Sequence, residues 1–125
     1  MTGVSLHHRH ILVVEDDFLL PSKPRRALEE AGATVVGPVG TVPGALDLIT
    51  SAPVADGAIL DVNLRDQMVF PAADMLVRRG VPFLFTTGYD QTVLPPRFDN
   101  FPRLEKPITP AGAIRAMAEP IDHRQ

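Results

Sequence analysis

The chain has 125 residues, with 12 basic and 15 acidic side chains and no cysteine. This length suits one domain with one hydrophobic core, and the lack of cysteine excludes disulfides and thiolate metal sites, which favours the cytosol. No apolar run approaches the ~20 residues of a membrane span, and no basic stripe indicates nucleic-acid binding. We therefore expect a cytoplasmic domain that binds neither a membrane nor nucleic acid.

The first part of the chain pairs an apolar run with a helical pattern. The continuous run at residues 11–14 predicts a strand that is buried on both faces of a parallel sheet. A helix follows and ends at Gly32. Because Pro21 and Pro24 oppose a regular helix start, we expect this helix to begin late, near Ser22 or Pro24.

The middle of the chain repeats this alternation. A second apolar run, residues 34–36, precedes a helix that Thr41 can cap. A third run, residues 58–60, precedes a helix that Pro71 opens and Gly80 ends. Four side chains of this last helix are expected to face inward: Ala72, Met75, Leu76 and Val77.

The last part of the chain predicts two more strands and a final helix. The fourth run is residues 81–85, and a short fifth strand lies around Leu104. Between them, residues 88–100 contain adjacent prolines and little helical periodicity, so we expect a loop with at most a short turn. The final helix runs through Met117 and ends before Pro120.

Strands that alternate with helices predict a doubly wound α/β fold, because parallel strands need right-handed helical crossovers. We expect a five-stranded parallel sheet in the flavodoxin-like order 2-1-3-4-5, with helices on both faces and a fourth helix that is short or absent. Residues 10–119 form the predicted domain. Residues 1–9 are expected to be a flexible lead-in and residues 120–125 a tail.

Polar side chains follow four of the predicted strands, at the edge where open parallel sheets bind ligands. The first strand ends in Glu15 and Asp16, the third in Asp61 and the fourth in Thr87, and the fifth leads into Lys106. Each alone is explained as a helix cap, a β-former or an exposed residue. Together they provide carboxylates for Mg²⁺ or Mn²⁺ and the acceptor, hydroxyl and ammonium that phosphoryl transfer uses.

These motifs resemble the receiver domains of two-component response regulators. The resemblance extends over residues 10–117 and rests on the segments ILVVEDD, ILDVNL, FTTGYD and LEKP. It implies a cis bond between Lys106 and Pro107. It also implies the following roles: metal binding by Glu15, Asp16, Asp61 and the main chain of Asn63, phosphoacceptance by Asp61, a switch hydroxyl at Thr87, and phosphate contact by Lys106.

The segment VPFLFTTGYD, followed by LEKP, resembles more narrowly the "FAT GUY" group of single-domain response regulators. Thr86 stands where that motif has alanine. This resemblance implies partner histidine kinases of the HWE or HisKA2 type, or a phosphotransfer protein. Most receivers have an aromatic residue three positions before the lysine. Here that position is Arg103, so ring rotation is not the expected signal.

The implied function is a phosphoacceptor switch of a bacterial phosphorelay, in which Asp61 receives a phosphoryl group in a Mg²⁺-dependent reaction. The chain would then signal through protein contacts, with residues 88–100 as the reordered loop, or act as a phosphate sink. Such a protein is not an enzyme beyond self-phosphotransfer and autodephosphorylation. One alternative is a phosphate-independent pseudo-receiver scaffold. Another is an aspartyl-nucleophile phosphohydrolase, which would need a general acid where Asn63 stands.

Overall fold

The computed structural model of the protein describes residues 6, 8–15, 23–51, 55–62, 64, 67–87, 94–105, 112 and 114–118. Within these residues, five strands form one parallel sheet in the order β2-β1-β3-β4-β5. The predicted order is therefore confirmed. The strands are β1 (His10–Val14), β2 (Thr34–Val39), β3 (Gly57–Asp61), β4 (Phe83–Thr87) and β5 (Arg103–Glu105).

Helices follow the strands as the sequence predicts. They are α1 (Lys23–Glu30), α2 (Val42–Ser51), α3 (Phe70–Arg78) and a C-terminal helix that includes residues 114–118. Between β4 and β5, residues 94–102 contain a single 3-10 turn, Pro96–Phe98, which agrees with a fourth helix that is short or absent. No helix within the described ranges is long and apolar enough to cross a bilayer.

The helix ends have the predicted local causes. Helix α1 begins at Lys23, within the late start that the prolines impose. The Thr41 hydroxyl caps α2 by accepting a 3.1 Å hydrogen bond from the Gly44 amide. Helix α3 has proline in its first turn and is followed by Gly80, whose φ of +69° suits the left-handed end of a helix.

The sheet separates two apolar clusters, because successive strand side chains point to opposite sides. On the α2–α3 face, strand side chains pack with residues of helices α2 and α3; the strand members are Leu12, Val14, Ala58, Leu60, Phe83 and Phe85. On the α1 face, they pack with Leu28 of α1 and Met117 of the C-terminal helix; the strand members are Ile11, Val13, Ile59 and Leu84. Helices therefore cover both faces, as predicted.

Three details differ from the sequence expectations. Val77 was predicted to face inward but is 48% exposed, because the buried stripe of α3 is centred on Ala72, Ala73 and Leu76 and the next residue turns ~100° away. Leu6, within the expected lead-in, is buried, and its amide donates to the Ala31 carbonyl at 3.1 Å. Strand β2 also continues beyond residue 36, to Val39.

Candidate functional site

The carboxyl ends of three adjacent strands bring polar residues together. Val14 of β1 is paired with Leu60 of β3, so Glu15 and Asp61 are the next residues on neighbouring strands. Asp61 is in turn paired with Thr86 of β4, and the Val62 amide donates to the Thr86 carbonyl at 3.1 Å. The described part of the predicted site therefore lies at one edge of the sheet, where α/β folds bind ligands.

Asp61 is a buried carboxylate at the centre of this edge. Every residue of β3 is buried, and Asp61 itself is 5% exposed, because β3 lies between β1 and β4 and is covered on both faces. Removing an ionised carboxylate from water costs free energy unless polar groups or cations compensate. A buried carboxylate at this position is therefore better explained by a role in binding or reaction than by packing.

Glu15 is held beside Asp61 through the backbone of β2. Its amide donates a 2.9 Å hydrogen bond to the Val39 carbonyl, and its side chain is half-buried. The β1–β2 register pairs Leu12 with Val36 but Val14 with Val39, so β2 contains one extra residue at this point. This bulge keeps β2 paired up to the candidate site.

Gly37 makes this bulge possible. Its φ is +97°, and a Cβ atom there would lie 2.8 Å from the Val13 carbonyl oxygen and 3.0 Å from the Val39 nitrogen. A side chain would therefore collide with backbone atoms, and the left-handed conformation would disfavour it as well. The Gly37–Pro38 peptide bond is cis.

The two threonines at the end of β4 belong to opposite faces of the sheet. Leu84 packs on the α1 face and Phe85 on the α2–α3 face, so alternation places Thr86 on the α1 face and Thr87 on the other. Asp61 follows the same alternation from Ile59 and falls on the α1 face, like its partner Thr86. The sequence motif pointed to Thr87 as the site residue of β4. The strand register shows that Thr86 is the direct neighbour of Asp61.

The predicted site residues divide into two groups. Glu15, Asp61 and Thr87 converge at the sheet edge, whereas Asp16, Asn63 and Lys106, together with the bond from Lys106 to Pro107, lie outside the described residues.

The described residues include no group of three or more histidine, cysteine or acidic side chains that could hold a metal. Glu15 and Asp61 nevertheless fit Mg²⁺ chemically, because this ion takes one or two protein carboxylates and completes its shell with water and phosphate oxygens.

Phenylalanine rings pack against one another on the α2–α3 face of the sheet. Phe83 stacks on Phe101 with centroids 4.5 Å apart, and Phe98 lies 5.3 Å from Phe85 and 5.6 Å from Phe70. We call these five residues the phenylalanine cluster. Because Phe98 and Phe101 come from the β4–β5 connection, the cluster fixes its described part, residues 94–102, against the sheet.

An ion pair also joins this connection to α3. The Arg97 guanidinium donates hydrogen bonds of 2.9 and 3.1 Å to the two carboxylate oxygens of Asp74, and it lies 4.6 Å from the Phe98 ring centroid. Hydrogen bonding to Asp74 raises the pKa of Arg97 above its ordinary value. The pair is exposed, so it orients the turn more than it stabilises the fold.

Comparisons with known proteins find close matches among solved structures. SdrG from Sphingomonas melonis Fr1, in a solution structure, is 39% identical over 91% of this chain and 97% of its own, with a TM-score of 0.79. The BeF3-activated conformation of SdrG from Pseudomonas melonis Fr1 is 41% identical over 87% of this chain and 92% of its own, with a TM-score of 0.71.

A response regulator receiver protein from Sinorhizobium medicae WSM419 shares the fold. It has a TM-score of 0.80 and 22% identity over 97% of this chain and 100% of its own. No family model matches the chain, and no curated protein matches it in sequence.

Proposed function

Because this chain belongs to the receiver domains of response regulators, we propose that it is a phosphoacceptor switch whose acceptor is Asp61. Receiver domains interact with histidine kinases or phosphotransfer proteins, and such a partner would supply the phosphoryl group. The observation that carries the proposal is the buried Asp61 carboxylate, which lies at the central carboxyl edge of the sheet beside Glu15 and Thr86.

The proposed reaction transfers a phosphoryl group from a histidine nitrogen of the partner to the Asp61 carboxylate. An Asp61 carboxylate oxygen forms a bond to phosphorus while the bond from phosphorus to the donor imidazole nitrogen breaks, and that nitrogen keeps the electron pair. The loose transition state asks the protein for positioning and for neutralisation of the phosphoryl oxygens. We assign the cationic contact to Lys106. Thr87 would contact another oxygen once the acyl phosphate has formed.

A divalent cation completes the proposed site. Glu15, Asp16 and Asp61, with the main chain of Asn63, would hold Mg²⁺ or Mn²⁺, of which Glu15 acts mostly through water. When bound, the ion neutralises charge on the phosphoryl oxygens. The backbone of Asp61 is held in place because β3 is paired on both sides.

We propose that the phosphorylation signal passes from Thr87 to the β4–β5 connection, which follows it in the chain. Thr87 lies on the α2–α3 face, so its hydroxyl must move over the strand end to reach a phosphoryl group on Asp61. The loop that we propose reorders is residues 88–100, of which residues 94–100 belong to the described part of the chain and contact the sheet through Phe98. The output would be contact with another protein. If the chain instead acts as a phosphate sink for a kinase, it would have no output of its own. We propose that the partner kinase is of the HWE or HisKA2 type.

Intact mass spectrometry tests the acceptor. We expect one phosphoryl adduct after incubation with acetyl phosphate and Mg²⁺, no adduct when the metal is chelated, and none in Asp61→Asn. Beryllofluoride should bind the native chain in the same Mg²⁺-dependent way. A folded native chain that forms no adduct under any of these conditions would overturn the proposal in favour of a phosphate-independent scaffold.

Two further measurements test the switch and the non-enzymatic role. Hydrogen exchange with and without beryllofluoride should change within residues 88–100. The chain should not turn over small phosphate esters, beyond loss of its own acyl phosphate. Unchanged exchange throughout residues 88–100 would contradict the switch. Steady ester hydrolysis would contradict the assignment as a signalling protein.

A further inference from the structure

Between helices α2 and α3 lies an open groove with a volume of about 520 Å³. Six residues line it: Leu46 of α2, and Pro71, Asp74, Met75, Val77 and Arg78 of α3. We call it the helix groove. Four of these six side chains are apolar, although the groove is open to water, and a contiguous apolar surface of this kind commonly marks a binding site.

Helix α3 has apolar side chains on two of its sides. Its buried stripe, with Ala72, Ala73 and Leu76, packs on the sheet. Met75 and Val77 belong to neither apolar cluster of the described core, and Val77 is half-exposed. A helix that packs on a sheet needs one apolar stripe, and a β-branched residue is a poorer helix former than alanine, lysine or glutamate. Packing and helix stability therefore explain the first stripe but not the second.

The charged residues of the helix groove indicate the charge of its occupant. Asp74 is already paired, because Arg97 donates two hydrogen bonds to its carboxylate. Arg78 is exposed, and no acidic group within the described residues forms an ion pair with it. The uncompensated charge in the lining of the groove is therefore positive, and it favours a partner surface with negative charge.

We propose that the helix groove is a docking site for an amphipathic helical segment of another protein. Apolar residues of the segment cover Met75 and Val77, and an acidic residue lies opposite Arg78, in the common mode by which helices bind apolar grooves. A second copy of this chain is a poorer occupant, because a two-fold interface would bring a second Arg78 to the same contact. As the output contact of the switch, the site rests on the proposed function, but the groove binds its segment whether or not Asp61 is phosphorylated.

Two synthetic helical peptides test the charge of the occupant. Both have leucines at positions i, i+3, i+4 and i+7, and the flanking positions are glutamate in one and lysine in the other. Fluorescence anisotropy with the full chain should show that the glutamate peptide binds about tenfold more tightly than the lysine peptide. Arg78→Glu should reverse this preference. Arg79→Glu is the matched control, since Arg79 is the neighbouring exposed arginine and does not line the groove, and it should change either Kd less than about threefold.

A second pair of variants tests the apolar contact. Val77→Lys should weaken binding of the glutamate peptide about tenfold, because a charge replaces an apolar contact at the centre of the interface. Met68→Lys is its control, because Met68 is also an exposed apolar residue but lies outside the groove lining. Both positions are exposed, so thermal melting should show that both variants fold.

Three results would overturn the docking site. The first is that neither peptide binds the native chain up to about 1 mM, and the second is that Arg78→Glu and Val77→Lys leave binding unchanged. The third is a native dimer in sedimentation that Val77→Lys dissociates, which would assign the groove to a second copy. A native chain that binds the glutamate peptide but forms no phosphoryl adduct would overturn the proposed function and leave the docking site supported.

Discussion

The two faces of the sheet differ in the kinds of residue that they contain. The α2–α3 face contains the phenylalanine cluster, and Arg97 joins the β4–β5 connection to Asp74 of α3. The described cluster on the α1 face consists of aliphatic residues and Met117, and strand alternation adds Asp61 and Thr86 to this face. Large packed rings therefore stabilise one face, whereas the proposed acceptor, Asp61, and its paired residue Thr86 belong to the other.

This difference shows how one short strand, β4, can contribute a residue to each face of the sheet. Thr86 and Thr87 are adjacent in sequence, yet strand alternation places Thr86 on the face of Asp61 and Thr87 on the face of the phenylalanine cluster. A residue that reports on phosphorylation to the β4–β5 connection must belong to the face where that connection packs. Thr87, the proposed switch residue, belongs to that face, whereas Thr86 belongs to the face of Asp61.

The largest expected effect comes from removing a ring of the phenylalanine cluster. Phe98→Ala should lower the free energy of unfolding by about 3–5 kcal/mol, because a buried aromatic side chain leaves a cavity. Chemical denaturation measures this loss, and Phe98→Leu should lose less. The folded fraction of either variant should still be phosphorylated at near the native rate. A rate in folded Phe98→Leu that falls tenfold or more would break the division between the faces.

A smaller effect is expected at the bulge that supports Glu15. Gly37→Ala should cost about 1–3 kcal/mol of unfolding free energy, because the new Cβ collides with the Val13 carbonyl in a left-handed conformation. Gly80→Ala is the matched control, since Gly80 also has positive φ but a methyl group added there would meet no atom within 4 Å. Equal melting temperatures for the two variants would show that crowding at Gly37 is unimportant.

A substitution of Glu15 tests the proposed metal site at the same edge. Glu15→Gln should weaken Mg²⁺ binding about tenfold, because the residue acts through water and its loss resembles loss of an outer-shell ligand. The Mg²⁺ concentration that gives half-maximal adduct formation measures the change. The maximal rate at saturating Mg²⁺ should stay near that of the native chain. An unchanged Mg²⁺ requirement would remove Glu15 from the metal site.

The smallest effect is expected from the exposed ion pair. Arg97→Gln and Asp74→Asn should each lower the melting temperature slightly. The double variant should melt no lower than either single variant, because all three remove the same interaction. The differences should shrink at high salt. Additive losses that salt does not alter would show that each side chain stabilises the fold through other contacts.

The sequence predicted the buried parallel strands and the edge that holds the site, because these depend on local patterns. The strand order followed from the expected fold class and not from a local pattern. Continuous apolar runs mark buried parallel strands, and the polar residue after each run must lie at one edge of the sheet. Glu15, Asp61 and Thr87 were found in this way, and the structure places them at that edge. The roles assigned to them remain predictions.

Other features depend on contacts that sequence patterns do not reveal. Gly37 and Pro38 usually signal the end of a strand, so the bulge that extends β2 to Val39 was not foreseen. Leu6 is an isolated apolar residue in a polar segment, and its burial depends on the turn after α1. The phenylalanine cluster joins residues of α3, β4 and the β4–β5 connection, and such distant partners leave no periodic signal.

The bulge in β2 also affects how this protein behaves at high concentration. Strand β2 lies at the border of the described sheet, and its β-branched residues could offer a backbone template to a foreign strand. Pro38 interrupts that template, since it has no amide hydrogen to donate and the bulge twists the chain beside it. We therefore expect the two residues that bring Val39 to Glu15, Gly37 and Pro38, to discourage edge-to-edge aggregation as well.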